Sequence, residues 1–459
     1  NKSFMLDSLK NILISSSGPI ENFSKIKINS EDICENDIFL ALKGEKDDGH
    51  NYIDRAIQKG AKGIISTQKT ILSKKITHFY VNNGLLALQS LAKDWRAQFK
   101  ALEVIGITGS VGKTTTKQIS EKILATSYNV ISSKKNYNNE IGLPLTILNI
   151  DKKTEIAILE MGMYQRGDIK LLTEISSPNI GAVINIEPVH IERVRTKKNI
   201  FLAKQELING LSKNGTAIIN NDDQLVRKMK KSFGGECITF GIEKKSTIYA
   251  SNIIDKGLNG FSFNLYINNI NLKEINIKQP GIHLLQCFLA AIAIGYKKQI
   301  EIPKIKKAIE KFELQERLQI IKLQNKITII DDTYNASPSS MIGALRLLNN
   351  NTNYKIAILG DMQELGSLSE KLHKQVAQVA QECTDEIICL GDKSEIIYNE
   401  YRKKSSNKST HFKIKKDLLD YLKTTKFQNT SILIKGSRFL KMEEIVQQLK
   451  KESIGDKYD

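Results

Sequence analysis

The chain has 459 residues, 41% of them hydrophobic and only 7 of them proline, so it can bury cores for about three domains and wholesale disorder is excluded. Its 68 Lys and Arg against 50 Asp and Glu give a net charge of +18, a balance that would suit an anionic partner such as nucleic acid or a membrane surface. Only ten of the basic residues are Arg, the lysines are scattered, and no basic block carries interleaved aromatics, so no nucleic-acid partner is expected.

In chain order, the opening NKSFMLDSLKNILISSS lacks the basic region and small-residue cleavage site of a secretory signal, and it reads as a first helix. Short β-like runs, Asp37 to Leu42 and Gly63 to Ser66, then mix with helical patterns up to the amphipathic stretch Leu85 to Phe99, which holds the only Trp, Trp95. From about residue 100 the texture changes. VIGITG, IAILEMG, IGAVINI and TAIIN are short buried-strand runs, each followed by Gly or polar residues and a helical period, the pattern of a doubly wound, mainly parallel sheet. Ile242 to Gln279 is polar and β-branched with a turn at LNG, and reads as a small antiparallel addition.

The most apolar stretch, Ile282 to Tyr296, is shorter than the ~20 residues of a spanning helix and carries His283 and Gln286, so no membrane insertion is expected. A second α/β series starts near Arg317, with KITIIDD, YKIAILGD, EIICLGD and SILIKGS as strands ending in Asp or Gly-Ser. Such polar strand ends are candidate site residues, because ligands of open α/β sheets lie beyond the carboxyl ends of the strands. The reading is an α/β chain of three domains, 1–100, 101–313 and 314–459. Cys34, Cys237, Cys287, Cys383 and Cys389 are odd in number and form no C-x-x-C pair, which points to a reducing cytoplasm rather than to a disulfide framework or a zinc site.

The strongest local signal is VIGITGSVGKTTTKQISEKIL: a buried strand, a Gly-rich turn, and a helix with Ile119, Ile123 and Leu124 on one face. Backbone N–H groups of such a turn at a helix N-terminus cradle phosphates, Lys113 reaches the β/γ oxygens, and Thr114 reaches Mg²⁺. The spacing is a variant, G-x-T-G-x-x-G-K-T-T from Gly106 to Thr115, with Ile107 where the first glycine of the common phosphate loop would stand. Glu160 ends a neighbouring buried strand, where a carboxylate can hold the same Mg²⁺.

This loop, together with NYNNEIGLP (Asn136 to Pro144), LEMG, DDTYNASP (Asp331 to Pro338), LGDMQELG and IKGSR, resembles the Mur ligase family of ATP-dependent amide-forming enzymes, almost end to end. DIFLALKGEKDDGHNYI and the pair YNA-P plus GDM-ELG resemble the member that adds D-alanyl-D-alanine to UDP-N-acetylmuramoyl-tripeptide. The resemblance implies an N-terminal UDP-sugar-binding domain, a central P-loop ATPase and a C-terminal Rossmann-like domain. It implies an acid–D-amino-acid ligase acting through an acyl phosphate in peptidoglycan synthesis, and so in cell-wall biogenesis, cell shape and division. The expected cofactors are ATP and Mg²⁺, the expected form a cytoplasmic monomer. The competing readings are a sibling or folylpolyglutamate-type ligase and a P-loop NTPase working on nucleic acid.

Residue by residue, the resemblance implies nucleotide contacts from Gly109, Ser110, Gly112, Lys113, Thr114, Thr115, Arg317, Asp332 and Asn335. It implies catalytic roles for Lys113, Glu160, His190 and Lys204, with Thr114, Glu160, His190 and Lys204 at the metal. Ser30, Asn138, Asn139, Asp361 and Arg438 are expected at the other substrates, while Glu364, His373 and Ser437 are weaker candidates of the same kind. Lys204 would be carbamoylated, which requires burial, because only a neutral amine reacts with CO₂. Four motifs depart from the family pattern, at five positions: Glu187 after Ile184-Asn185-Ile186, Leu284 and Cys287 in place of two amides, Glu31 in place of a cation, and Glu316 in place of a glycine before Arg317.

Overall fold

In the computed structural model, residues 2–19, 22–188, 191–242 and 245–455 are described, and they form three α/β domains built on three sheets. The first sheet has five strands in the spatial order Leu13–Ser17, Thr77–Val81, Gly63–Ser66, Ile38–Leu40 and Ile26–Lys27. All neighbours are parallel except the first pair. The opening segment is therefore not one helix. The helix Lys2–Leu9 stops, and Leu13–Ser17 pairs antiparallel with Thr77–Val81. The β-branched Ile12 and Ile14 and the serine run favour extended backbone, and the exposed edge of Thr77–Val81 supplies the partner.

The central sheet has nine strands in the order Ile270–Ile277, Phe261–Ile267, Ile248–Asp255, Glu236–Gly241, Thr216–Asn220, Ile180–Val183, Glu103–Thr108, Ile156–Glu160 and Val130–Ser132. The strands from Val130 to Ile248 run parallel, and the last two turn back antiparallel. The expected antiparallel addition is thus present, as an extension of the same sheet rather than a separate layer. Its LNG turn needs glycine: Gly260 has φ +91°, and a Cβ there would lie 1.8 Å from the Ile277 carbonyl oxygen.

Ile156–Glu160 and Thr216–Asn220 are buried along their whole length, as parallel strands covered on both faces must be. One face packs the helices Lys113–Leu124, Leu285–Lys297 and Ile302–Glu310, through Ile119, Ile123, Phe288 and Ile305. The other packs Asp168–Ser176 and Lys197–Asn209, through Ile169, Ile200 and Leu207. The apolar run beginning at Ile282 is this buried helix Leu285–Lys297, and among the described residues no helix is long and apolar enough to cross a membrane.

The third sheet runs Gln319–Lys322, Thr328–Asp331, Thr430–Lys435, Tyr354–Gly360, Glu386–Leu390 and Lys408–Phe412, parallel apart from its first strand, with helices on both faces. Its carboxyl ends face those of the central sheet. Contacts tie the two domains together: Ser339 donates to Glu187, Asn350 Nδ2 donates to Asp255 Oδ2 at 2.8 Å, and Lys393 lies 3.7 Å from Glu192.

Candidate active site

A cavity of about 1080 Å³ opens where these strand ends meet, large enough for a nucleotide together with a reacting group. One wall is the loop Gly109 to Gly112, between the strand Glu103–Thr108 and the helix Lys113–Leu124. Gly112 has φ +83°, and a Cβ there would sit 2.8 Å from Cys287 Sγ, so both backbone conformation and space require glycine. The segment after Ile180–Val183 braces this loop. Asn185 Oδ1 accepts from Val111 N at 2.9 Å, its Nδ2 donates to the Val111 carbonyl at 3.0 Å, and its own carbonyl accepts from Ser110 N at 3.1 Å. Ser110 Oγ in turn donates to the Glu187 carbonyl at 3.1 Å and accepts from Glu187 N at 2.9 Å.

Lys113 folds back over its own loop and donates to the Gly109 carbonyl at 2.9 Å. Burial pulls its pKa down, Glu160 pushes it up, and Arg317 pulls it down again. A cation held only by carbonyls is short of negative charge, which a phosphate group supplies. Thr114 Oγ1 donates to Glu160 Oε2 at 3.0 Å, and Asn138 Nδ2 donates to Glu160 Oε1 at 3.0 Å. Glu160 is 2% exposed, so its carboxylate is fixed and dry. Thr115 is buried behind the loop. The hydroxyl and carboxylate oxygens side by side are the hard donors Mg²⁺ prefers, beside the place where phosphates would complete its shell. Among the described residues no group of three or more His, Cys, Asp or Glu side chains gathers to hold a metal. His190 lies outside the described residues.

Lys204 sits in the helix Lys197–Asn209, is 2% exposed, and lines the same cavity. Burial first, and then the charge of Lys113, hold its pKa well below the usual lysine value. Its amine makes no hydrogen bond or ion pair with any described residue. The burial that carbamoylation requires is present.

The opposite wall comes from the third domain. Lys435, at the end of Thr430–Lys435, forms a 2.5 Å ion pair with Asp332 and donates to the Asn335 carbonyl at 2.9 Å, pinning the loop that follows Thr328–Asp331. Arg317 reaches Thr114 Oγ1 at 3.5 Å, and its guanidinium lies 4.5 Å from the centre of the Tyr334 ring. Arg438 lies 5.8 Å from that ring and pairs with Glu443 at 3.0 Å.

The structure thus brings together around one cavity Ser110, Gly112, Lys113, Thr114, Thr115, Asn138, Asn139, Glu160, Lys204, Arg317, Asp332 and Asn335. Gly109 lies just behind, against Ile184. Asn139 Oδ1 also accepts from Gly142 N at 2.9 Å, at the start of the helix Gly142–Ile147. Ser30, Asp361 and Arg438 are not in the cavity wall. Ser30 is buried in a short turn of the first domain, and Asp361 is buried with its Oδ1 accepting from Ser394 N at 2.6 Å. His373 is buried too, its Nε2 accepting from Met362 N at 3.2 Å.

Sequence reasoning missed Asn185 as the brace of the loop and Lys435 as the partner of Asp332. Each is the polar residue that closes a buried strand run, and that position was the available signal. The departures are accommodated locally. Glu31 pairs with Arg55 at 2.5 Å and Lys59 at 2.7 Å. Glu187 accepts from Ser339, and burial pushes its pKa up. Glu316 adopts φ +60°, the left-handed conformation a glycine would take more readily.

Three family descriptions match the chain in succession: "Mur ligase family, catalytic domain" over residues 22–96, "Mur ligase middle domain" over 107–295, and "Mur ligase, glutamate ligase domain" over 316–438. The chain is 37% identical over 422 residues to a UDP-N-acetylmuramoyl-tripeptide–D-alanyl-D-alanine ligase of Buchnera aphidicola, covering 90% of each chain. It is 34% identical to the ligase of the same name from Bacillus subtilis, again covering 90% of each. Among solved structures it superposes on a MurF crystal structure from Acinetobacter baumannii with a TM-score of 0.88 at 27% identity, covering 98% of both chains. For the Thermotoga maritima MurF ligase in complex with ADP the TM-score is 0.83 at 26% identity, covering 95% of this chain and 100% of that one.

Proposed function

The chain belongs to the Mur ligase family, and from that membership we propose how its site works: it is an ATP-dependent ligase that adds D-alanyl-D-alanine to UDP-N-acetylmuramoyl-tripeptide in peptidoglycan synthesis. A free carboxylate does not acylate an amine, because its leaving group would be oxide. Transfer of the γ-phosphoryl group of ATP to the tripeptide carboxylate gives an acyl phosphate, which the dipeptide amine displaces to form the amide and release phosphate.

The observation that carries this reading is the single cavity shared by the phosphate loop, the Thr114–Glu160 pair and the buried amine of Lys204. Lys113 leaves its loop carbonyls for the phosphate oxygens, where its charge offsets that of the migrating phosphoryl group. Thr114 and Glu160 would hold Mg²⁺, with His190 and Lys204 as further ligands. Bound there, Mg²⁺ draws charge from the phosphate oxygens. Lys204, neutral through burial, adds to CO₂ through its nitrogen and loses a proton, becoming a carbamate anion. Gly109, Ser110, Gly112 and Thr115 shape the phosphate cradle, and Asn138 holds Glu160 in place.

Arg317, Asp332 and Asn335 close over the nucleotide from the third domain. Asn139 faces the tripeptide, and Ser30 serves the uridine end within residues 1–100, with 101–313 as the ATP domain and 314–459 as the closing domain. Asp361 acts through the turn before Arg438, its carbonyl accepting from Ser437 N at 2.9 Å, and Arg438 serves the dipeptide. The enzyme works as a cytoplasmic monomer. Purified chain given ATP and Mg²⁺ should form the pentapeptide precursor, detected by mass, only when both tripeptide and dipeptide are present. Formation of product from the tripeptide and a single amino acid instead would make it a sibling ligase.

A further inference from the structure

The helix Pro338–Asn349 of the third domain is tied to the central domain at both of its ends. At its C-terminus the capping Asn350 donates to Asp255 Oδ2 at 2.8 Å, on the exposed surface. At its middle Gly343 leaves room for the His283 ring, since a Cβ there would lie 2.5 Å from a ring carbon. At its N-terminus Ser339 donates to Glu187 Oε2, and both residues line the cavity.

Ser339 is available for this contact because its neighbours cap the helix. Ser337 N donates to Ser340 Oγ at 2.9 Å and Ser340 N donates to Ser337 Oγ at 3.4 Å, so the cap is complete without the residue between them. Glu187 is rigidly mounted on its own side. Ser110 Oγ brackets its backbone, and the preceding Ile186 N donates at 2.8 Å to Asp223, which also accepts from Leu225 N at 2.9 Å. A side chain on so fixed a backbone loses little freedom when it bonds across an interface. Its carboxylate also meets the first turn of a helix, where the exposed N–H groups favour negative charge.

The contact joins the two halves of the nucleotide site. On one side Glu187 is bonded to Ser110 of the phosphate loop; on the other, Ser339 follows the segment of Asp332 and Asn335 that Lys435 pins. We propose that Glu187 is a positioning residue that holds the third domain against the phosphate loop before ATP arrives, so that the closed form of this chain is populated without nucleotide. Glu187 acts through Ser339. It departs from the family pattern, so the tether belongs to this chain. A site that is already closed keeps its full affinity, whereas one that must first close loses affinity in proportion to the closed fraction. Glu187 therefore governs KM for ATP rather than the chemical step. That effect on KM rests on the ATP-dependent reading above; the closed form itself does not.

The test pairs small-angle X-ray scattering with steady-state kinetics on the full chain, for wild type, Glu187→Ala, Ser339→Ala and the double variant. Without nucleotide, wild type should show the radius of gyration of the closed structure, and ADP with Mg²⁺ should leave it unchanged. Each variant should be more expanded without nucleotide and should contract to the wild-type value with saturating ADP and Mg²⁺. KM for ATP should rise about 10-fold in either single variant with kcat changed by no more than about twofold, the loss expected for one hydrogen bond to a charged group. The double variant should be no weaker than Glu187→Ala, because the two residues make one contact. A wild-type chain that contracts on nucleotide as much as the variants do, or a fall in kcat with KM unchanged, would overturn the assignment. Ser339→Ala keeps the test decisive if Glu187→Ala does not fold, since alanine suits a first helical turn. A wild type that does not turn over ATP would remove the ATP-dependent reading, while the scattering would still decide whether the tether closes the chain.

Discussion

Thr114 Oγ1 donates to Glu160 Oε2 at 3.0 Å, joining the first turn after the phosphate loop to the end of the neighbouring strand. The pair converts two strand ends into one oxygen-donor site. Glu160→Gln keeps the shape and the hydrogen-bonding length but removes the charge. It should lower turnover about 100-fold or more and raise the Mg²⁺ concentration needed for half activity, while the melting temperature stays close to wild type. Turnover within twofold of wild type at limiting Mg²⁺ would show that the carboxylate does not serve the metal.

Lys113→Ala should abolish product formation, since it removes charge stabilisation of several kcal/mol from the phosphoryl-transfer transition state. The helix Lys113–Leu124 is held by Ile119, Ile123 and Leu124, so circular dichroism and melting should change little. A folded variant that turns over at the wild-type rate would contradict the role given to the loop.

Lys204 makes a prediction with a sign. Its folded pKa lies below the ordinary 10.5, so between those two values the unfolded chain holds the extra proton and the buried lysine opposes folding. The penalty is greatest at the acidic end of that window and vanishes above 10.5. In CO₂-depleted buffer, Lys204→Met should therefore melt higher than wild type at pH 7, with the gain shrinking as the pH is raised toward 10. The same variant should be inactive, and Lys204→Ala should be partly rescued by short carboxylates at millimolar concentration. A pH-independent difference in melting would mean the amine is not desolvated.

Gly112→Ala combines a left-handed backbone with a 2.8 Å approach to Cys287 Sγ. It should destabilise the chain by ~1–3 kcal/mol and raise KM for ATP, because the loop must shift to relieve it. Adding Cys287→Ala should recover the steric part but not the backbone part. Full recovery in the double variant would show that φ at this position carries no strain.

Much of this architecture was legible because parallel strands buried on both faces leave a plain mark: VIGIT, IAILE and TAIIN are unbroken apolar runs that end in Gly or a polar residue at the site. The edges were not. Lys408–Phe412 reads KSTHF and Val130–Ser132 has three residues, so neither carries a buried run, and both are strands only because a neighbour offers its hydrogen-bonding edge. Leu13–Ser17 was absorbed into the helix before it for the same reason.

Within the site, the loop and Glu160 announce themselves through spacing and strand-end position. Lys204 does not: its side chain is one lysine among many until the fold places Leu207 and Ile200 beside it in the core and leaves its amine in the cavity. Asn185 and Lys435 act between the ends of neighbouring strands, and such partnerships depend on strand order that a single sequence does not display.

The central claim is that the tripeptide carboxylate is activated by taking the γ-phosphoryl group of ATP before the amine attacks. It is tested most directly with UDP-N-acetylmuramoyl-tripeptide carrying ¹⁸O in the carboxylate that is to be joined, turned over with ATP, Mg²⁺ and D-alanyl-D-alanine. When the amine displaces the acyl phosphate, the bridging carboxylate oxygen leaves with phosphorus, so each phosphate released should carry one ¹⁸O and each new amide should retain one. Phosphate free of ¹⁸O, formed alongside the amide, would contradict the account.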